Sequence, residues 1–318
     1  MIKPIIRKVF LHMKKGSFLL TLVAAAVILV SGGMGGASTV LAAQVNSTAT
    51  AKDFQNHPNK TEIEYVIKSK LMWLFPDGNF RPDQVITQAD LIAGLSNVKG
   101  LTVGEQVPEM PANHWAKTYY ERAKKEGILI GVEINPNKVL TRDEAARLMI
   151  NAWEDLRQTR TQNENGTSAP YPYSQLAVSN GWLPKKAGKF INGVSTTLYD
   201  GVTNTTRAEQ AFALASLHRD LVGIRNGEKI SSQLHNSLKL SNGRLTGQVP
   251  NMQGYSASVL IMLKDGKTFE YKSGAFSVDV NQAKAMRVRV TRKGEAISLS
   301  LYTYLKLPHS LERVNVRW

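Results

Sequence analysis

A four-residue phrase that begins with threonine occurs three times in the chain and carries its most specific chemistry. It reads Thr206-Arg207-Ala208-Glu209, Thr141-Arg142-Asp143-Glu144 and Thr87-Gln88-Ala89-Asp90. Thr-x-x-Glu before an apolar run predicts a helix that starts with a capping box, in which each side chain binds the backbone N–H of the other residue. Aspartate in the third copy has one methylene less of reach, so we expect a weaker box there.

The two arginines at the first helical position are candidate binding residues. Arg142 and Arg207 lie beside the positive end of the helix dipole, where an exposed cation costs roughly 0.3–1 kcal/mol. A free helix N-terminus attracts anions through its unpaired N–H groups, and a guanidinium strengthens that attraction. The same arginine in two copies favours an anion-binding role. The alternative is that each arginine is simply solvated beside the first turn of its helix.

Each capped helix follows a shorter predicted helix, so three helix–loop–helix units succeed one another. Their boundaries are 53–110, 111–169 and 170–223. A two-helix unit cannot bury its apolar face alone, and three units at a recurring spacing predict packing around a pseudo-threefold axis. The predicted fold class is therefore mostly α in the N-terminal part.

The motifs of these units resemble those of the S-layer homology domain, a bacterial module usually found as three tandem copies. The resemblance covers about Asp53 to Leu221 and departs from the family pattern at Pro58, where tryptophan is expected, and at Gln88, where arginine is expected. The second unit lacks the Asp-Gly turn, and the third lacks the tryptophan. The matching motifs are His114-Trp115-Ala116, Gly127-Ile128, Pro76-Asp77-Gly78-Asn79-Phe80-Arg81-Pro82-Asp83, Ile86-Thr87 and Thr206-Arg207-Ala208-Glu209.

This resemblance implies non-covalent attachment to a secondary cell-wall polysaccharide. The bound sugar of the family typically carries a pyruvate ketal, hence a carboxylate, which meets the helix-opening arginine in a groove between adjacent units. From its residue type alone, Trp115 is expected to be buried in the core rather than to stack against a sugar ring. The candidate ligand-binding residues are Arg142, Arg207, Thr141, Thr206, Trp115, Asp200 and Gly201, with Gln88, Asp77 and Gly78 as weaker candidates.

The N-terminus predicts export. A basic stretch precedes the apolar run Ser17 to Val30, and small residues follow as far as Ala43. This order is typical of a secretory signal peptide, predicted over 1–43 with Met1 or Met13 as its start and a linker over 44–52. The apolar run is short for a spanning helix, so no stable transmembrane segment is expected after cleavage. The chain has no cysteine, which excludes a lipid anchor on cysteine. The predicted location is secreted, at the cell wall or S-layer.

The net charge of +15 is concentrated near the C-terminus. From Arg225 to Trp318 the chain has fifteen Lys and Arg residues against six Asp and Glu residues. Such asymmetry suggests a polyanionic partner, and for an exported chain acidic wall polymers or anionic lipid headgroups come before nucleic acid. No nucleic-acid partner is predicted.

Residues 224–318 predict a small all-β, sandwich-like domain. Lys264-Asp265-Gly266-Lys267 gives a two-residue hairpin turn, and Met286 to Val290 alternates with a period of two. Arg287, Arg289 and Arg292 are expected near one sheet edge. There they either blunt an edge strand or form an anion patch.

The sequence lacks the usual catalytic motifs. It has no Gly-x-Ser-x-Gly elbow, no phosphate-binding loop and no ligand spacing among its histidines. We therefore predict a binding protein that is not an enzyme and has no cofactor and no metal. The alternatives are a structural lattice subunit and a wall hydrolase whose active site lies in the C-terminal domain.

Overall fold

The computed structural model describes residues 53–153, 172–295 and 298–315. The predicted signal peptide and linker lie outside these residues. The described residues form six helices and three antiparallel sheets, and none of these helices is long and apolar enough to cross a membrane. The helices are α1 (Lys60–Lys68), α2 (Gln88–Lys99), α3 (Lys117–Lys125), α4 (Arg142–Ala152), α5 (Tyr173–Ser179) and α6 (Arg207–Ser237).

Helices α2, α4 and α6 begin at the three repeated phrases, as predicted. In each, the threonine hydroxyl accepts a hydrogen bond from the third helical N–H, at 3.3 Å in all three. The acid at that third position accepts the threonine N–H in return. Asp90 completes its box as well as the glutamates do, with 2.9 Å between its carboxylate and the Thr87 nitrogen. The expected weakness of the Asp90 box is therefore not observed.

The three segments that lead into these helices are tied together by their backbones. Ile86 donates its N–H to the carbonyl of Thr205 at 3.0 Å, and Thr205 donates to Leu140 at 2.9 Å. Leu140 closes the ring by donating to Ile86 at 3.2 Å. One apolar core underlies this ring and contains residues from α1 through the first half of α6.

The C-terminal part is built from eight strands in two sheets. The five-stranded sheet has the order β10-β9-β8-β5-β6, and the three-stranded sheet has the order β3-β4-β7. A separate two-stranded hairpin, β1 (Gly188–Lys189) with β2 (Ser195–Thr196), lies before α6. The strands are β3 (Lys239–Ser241), β4 (Arg244–Val249), β5 (Tyr255–Leu263), β6 (Thr268–Tyr271), β7 (Gly274–Asp279), β8 (Ala283–Arg292), β9 (Ser298–Tyr304) and β10 (Arg313–Asn315).

The strand that carries the three arginines is β8, and it lies at the centre of its sheet. It pairs with β5 on one side and with β9 on the other. The expected position near a sheet edge is therefore wrong, because sequence alternation identifies a strand but not its neighbours. Arg287 and Arg289 face solvent, whereas Arg292 turns to α6 and donates to the carbonyl of Arg219.

Helix α6 continues through the predicted domain boundary at 223/224. Its first half belongs to the helical core, and its second half supplies Ile230 and Leu234 to the core of the β-rich part. There they pack with sheet residues that include Val259 and Leu245. The sandwich-like part is thus completed by a helix that the sequence placed in the preceding unit.

Candidate functional site

The first two N–H groups of each capped helix are already bound within the protein. The first-position groups of Gln88, Arg142 and Arg207 donate to the carbonyls of Lys138, Thr203 and Gln84, at 2.8, 2.9 and 2.8 Å. We call the segments that lead into α2, α4 and α6 (69–87, 126–141 and 180–206) the first, second and third connectors. The second-position groups donate in the same way to three further carbonyls of these connectors. The expectation that free helix N-termini attract anions is therefore wrong for this chain. Its connectors supply the acceptors instead.

Arg142 is fully buried, with no exposed surface. Its Nε donates to the carbonyl of Asp200 at 2.8 Å, and its Nη2 donates to the carbonyl of Pro184 at 2.6 Å. Its Nη1 forms an ion pair with the Glu209 carboxylate, and the Asp200 carboxylate lies 3.8 Å from its Nε. Arg142 therefore holds the third connector to α4 and α6 with a fully buried side chain, and its role as a ligand-binding residue stays a prediction.

The other candidates near Arg142 also have internal roles. Asp200 is fully buried and accepts hydrogen bonds from the Lys189 N–H and the Thr203 hydroxyl. Burial raises the pKa of Asp200, but these donors outweigh it, so that the net pKa is lowered. The Gly201 carbonyl accepts the N–H of Asp143, while Thr141 and Thr206 use their hydroxyls as helix caps.

Gln88 occupies the first position of α2 and is also buried. Its amide nitrogen donates to the carbonyl of Glu133 at 2.9 Å, and its amide oxygen accepts from the Tyr120 hydroxyl and the Asn135 N–H. The glutamine therefore holds the second connector as Arg142 holds the third. It places no positive charge there.

Arg207 is in a different position from Arg142. Its Nε donates to the carbonyl of Phe80 at 2.8 Å, and its Nη2 donates to the carbonyl of Trp73 at 3.0 Å. Its guanidinium lies 4.6 Å from the Phe75 ring centroid and 4.8 Å from that of Phe80. In the part of the chain that the structure describes, no carboxylate oxygen lies within 4.0 Å of it, and its Nη1 has no hydrogen-bond partner.

The charge of Arg207 is only weakly compensated. Burial lowers the pKa of the Arg207 guanidinium, and the cation of Arg81 acts in the same direction. Asp90 raises that pKa through its charge, as does Asp53, without forming an ion pair. Asp90 is the third residue of α2, whereas Glu209, the third residue of α6, does reach its arginine. The shorter aspartate stays with its cap and leaves Arg207 unpaired.

We call Trp73, Phe75, Phe80, Arg81 and Arg207 the Arg207 cluster. Trp73 is 47% exposed, and the Arg81 guanidinium lies 4.0 Å from the Phe75 ring centroid. Trp73, Phe75 and Arg81 are not among the binding residues predicted from the sequence. Two aromatic residues just before a Pro-Asp-Gly turn are a sequence pattern that could have indicated a sugar-contacting surface.

The weaker candidates Asp77 and Gly78 form the turn beside the cluster. Asp77 pairs with Arg81 at 2.9 Å and accepts the N–H of Asn79 at 3.0 Å. These hydrogen bonds, the one from Arg81 foremost, lower the pKa of Asp77 to about 2. Gly78 has a φ of 79°, which favours glycine. The turn therefore fixes Arg81 and leaves Arg207 as the cation without a carboxylate.

Trp115 is 58% exposed, so its expected place in the core is wrong. Its ring stacks on His114 with 5.8 Å between centroids and meets the edge of Tyr119 at 6.2 Å. None of these ring contacts is with the Arg207 cluster. Trp115 is thus an aromatic surface of its own at the start of α3.

Residues 52–92 match the family model of the S-layer homology domain. This segment includes α1, the first connector and the start of α2, and therefore four of the five residues of the Arg207 cluster. The match supports a protein that is associated with the cell surface or cell wall.

Two curated relatives align with about half of the chain. An amylopullulanase from Thermoanaerobacterium thermosulfurigenes is 26% identical over 178 residues, which is 53% of this chain and 9% of that protein. The exoglucanase XynX from Acetivibrio thermocellus is 24% identical over 183 residues, which is 54% of this chain and 16% of that protein. The chain thus spans less than a fifth of either relative.

Proposed function

We propose that the chain attaches non-covalently to the bacterial cell wall by binding an anionic secondary cell-wall polysaccharide at the Arg207 cluster. The observation that carries this proposal is the unpaired Arg207 guanidinium, half-buried among aromatic rings. A charge removed from water without a counter-charge is unfavourable. An anionic ligand would supply that counter-charge through a strong, charge-assisted hydrogen bond.

The proposed ligand group is a carboxylate on a sugar, such as a pyruvate ketal. Two nitrogens of Arg207 are fixed by carbonyls, so its orientation is set and its Nη1 remains for a ligand. Trp73 and Phe75 are exposed or half-exposed beside it, and aromatic rings suit the apolar faces of a sugar ring. One cation with adjacent aromatic surface therefore favours an acidic sugar over a bare polyanion.

We further propose that three S-layer homology units pack around a pseudo-threefold axis. The family match covers residues 52–92 in the first unit, and the support for the other two is the closed ring of backbone hydrogen bonds with a capping box at the start of each of the three helices. In this arrangement the three equivalent first positions differ. Arg142 is neutralised, Gln88 is uncharged and Arg207 alone retains its charge for a ligand.

Export by the signal peptide, residence in the wall and the lack of catalysis are parts of the same proposal. The two relatives are named as carbohydrate-degrading enzymes, but the aligned part is a small fraction of each. In this proposal the aligned part has the anchoring role. The basic β-rich part would contact acidic wall polymers.

Calorimetric titration of the full chain with purified wall polysaccharide tests the proposal, using polysaccharide with and without its pyruvate. Arg207→Ala should weaken binding about ten- to a hundredfold, because a charge-assisted hydrogen bond is lost. Arg225→Ala, which removes an exposed arginine farther along α6, should change affinity less than about twofold. A folded Arg207→Ala protein that binds as tightly as the parent, or equal affinity for depyruvylated polysaccharide, would refute it.

A further inference from the structure

A cavity opens on the outer face of the five-stranded sheet, in the β-rich part of the chain. Its volume is about 330 Å³. Two strand-centre arginines, two serines, two leucines and one glutamate line it. These residues are Arg287, Arg289, Ser258, Ser298, Leu260, Leu301 and Glu270.

The strand register explains why these side chains meet. On β5, Leu260 lies opposite Arg287 and Ser258 lies opposite Arg289. Arg289 in turn lies opposite Leu301 on β9. Side chains two residues apart share a face, with their Cα atoms about 6.6–7 Å apart. Both guanidiniums therefore rise from the central strand into the same cavity.

These arginines do not serve to block pairing at an exposed sheet edge, because β8 is paired with a neighbouring strand on each side. Arg287 is exposed, and within 53–153, 172–295 and 298–315 it has neither a hydrogen bond nor an ion pair. Arg289 donates its Nε to the Ser298 hydroxyl at 2.8 Å, which fixes its direction. The carboxylate of Glu270 pairs with Lys272 at 3.0 Å. The lining therefore includes two arginines and one glutamate, and the glutamate already pairs with a lysine.

We propose that this cavity binds a phosphodiester group carried by a polyol chain. Guanidinium groups suit phosphate oxygens, and a phosphodiester presents tetrahedrally arranged oxygens that Arg287 and a second cation on the same face can approach from different sides. The serine hydroxyls can hydrogen-bond polyol hydroxyls, and the two leucines can contact the methylene groups between them. No aromatic ring is among the described lining residues, so stacking on a sugar face is not provided.

The lining also distinguishes this ligand from a lipid surface. Leu260 and Leu301 are half-buried walls of the cavity and cannot insert into a bilayer. The inference rests on the proposed contact of the β-rich part with acidic wall polymers and names the group bound there, but it does not depend on wall-glycan binding at the Arg207 cluster. Arg207 is therefore left intact in every variant used to test it.

The test is titration of the full chain with a glycerol phosphate oligomer at about 0.1 M salt, where exposed charges are partly screened. Arg287→Gln with Arg289→Gln should weaken binding about tenfold or more, because both forks are lost. The control is Lys239→Gln with Arg244→Gln, which removes the same charge from exposed positions on the three-stranded sheet. It should change affinity less than about twofold.

Three comparisons complete the test. Arg287→Lys with Arg289→Lys keeps the charge and should recover only part of the affinity, because lysine lacks the planar fork. A galacturonate oligomer should bind more weakly than the phosphate oligomer, and so should vesicles of phosphatidylglycerol and phosphatidylcholine. Equal losses in the glutamine variant and its control, no binding by the parent, or preferred binding of galacturonate or of vesicles would each overturn the proposal.

Discussion

At the third position of each capped helix, the length of the acidic side chain determines whether an arginine is neutralised. Glu209 caps α6 with one oxygen and pairs with Arg142 through the other. Asp90 caps α2 but does not come within ion-pair distance of Arg207 in the described structure. One methylene group thus separates a structural arginine from one that is available to a ligand.

Asp90→Glu should therefore close the candidate site. The longer carboxylate can keep its cap and also reach Arg207, so it should compete with an acidic glycan for the guanidinium. We expect affinity for wall polysaccharide to fall about tenfold with no loss of stability. Calorimetric titration and urea unfolding measure the two quantities. Unchanged affinity in a folded variant would show that Asp90 does not control Arg207.

Arg142→Ala should act on stability instead. It leaves the Asp200 carboxylate without its cation in a buried site and leaves Glu209 with only Lys186, 3.9 Å away. Such a loss costs about 3–5 kcal/mol. Arg207→Ala removes hydrogen bonds at a half-buried position and should cost clearly less. Urea denaturation of both variants checks the contrast. Equal destabilisation by the two substitutions would contradict the distinct roles assigned here.

The buried carboxylate of Asp200 makes stability depend on pH. Its pKa in the folded chain lies below the ordinary value of 3.8, so the unfolded chain binds this proton more readily. Its contribution is therefore complete above about pH 4 and is lost as the pH falls through the folded pKa. Asp200→Asn should flatten that part of the stability profile, and a profile that this substitution leaves unchanged would contradict the prediction. Denaturant midpoints across the acid range provide the measurement.

Sequence chemistry located Arg142 and Arg207 at equivalent positions but could not separate them. The capping boxes were predictable because each is local, spanning four residues. The partner of Arg142 is 67 positions away on another helix, and Trp73 reaches Arg207 across 134 positions. Only the packed structure brings these groups together. The two similar four-residue phrases therefore do not reveal that their arginines have different electrostatic surroundings.

Among the elements, α6 was the least predictable. Its middle reads Arg225-Asn226-Gly227-Glu228, a polar stretch with a glycine that suggests a boundary. The glycine is instead a contact point with the sheet, because a Cβ on Gly227 would lie 2.8 Å from the Leu299 Cβ and 3.2 Å from its carbonyl carbon. The close packing of α6 against β9 therefore explains why a glycine, which has low helix propensity, lies in the middle of this helix.

Gly227→Ala should consequently destabilise the chain despite the better helix propensity of alanine. Relieving the contact requires the strand to move away from the helix, which we expect to cost about 1–3 kcal/mol. Gly223→Ala is the control on the same helix, because its Cβ would meet the terminal guanidinium of the Arg292 side chain and not the backbone of a strand. Urea midpoints should fall more for position 227. A stabilised Gly227→Ala variant would show that the helix and β9 are not in firm contact.

For the molecule as a whole, the two apolar cores share α6. Leu214 and Leu217 belong to the helical core, and Ile230 and Leu234 belong to the core of the β-rich part. The prediction of helices followed by a β-rich C-terminal part agrees with the six helices and three antiparallel sheets of the described residues, whereas the bundle of three helical units stays a prediction. The sequence could not show the junction of the two cores, because helical periodicity is obscured where a helix passes from one set of neighbours to another.

This junction should make unfolding cooperative across both parts. Proline at 225 removes a helical hydrogen bond and clashes with the preceding turn, at a cost of about 3 kcal/mol. Arg225→Pro should therefore split a single calorimetric transition into two, while Arg225→Ala should preserve one. Two transitions in the parent would mean that α6 does not couple the cores.

The continuous helix also determines how the two candidate anion sites act together. Its 31 residues span about 46 Å as a rod, whereas a flexible chain of that length would average roughly 30 Å with a wide spread. Arg207 opens this rod, and its far end is built into the β-rich core. A polymer that engages both sites gains avidity only when the spacing of its own anionic groups matches the distance between the two sites, because a rigid connection holds the second site at one distance from the first.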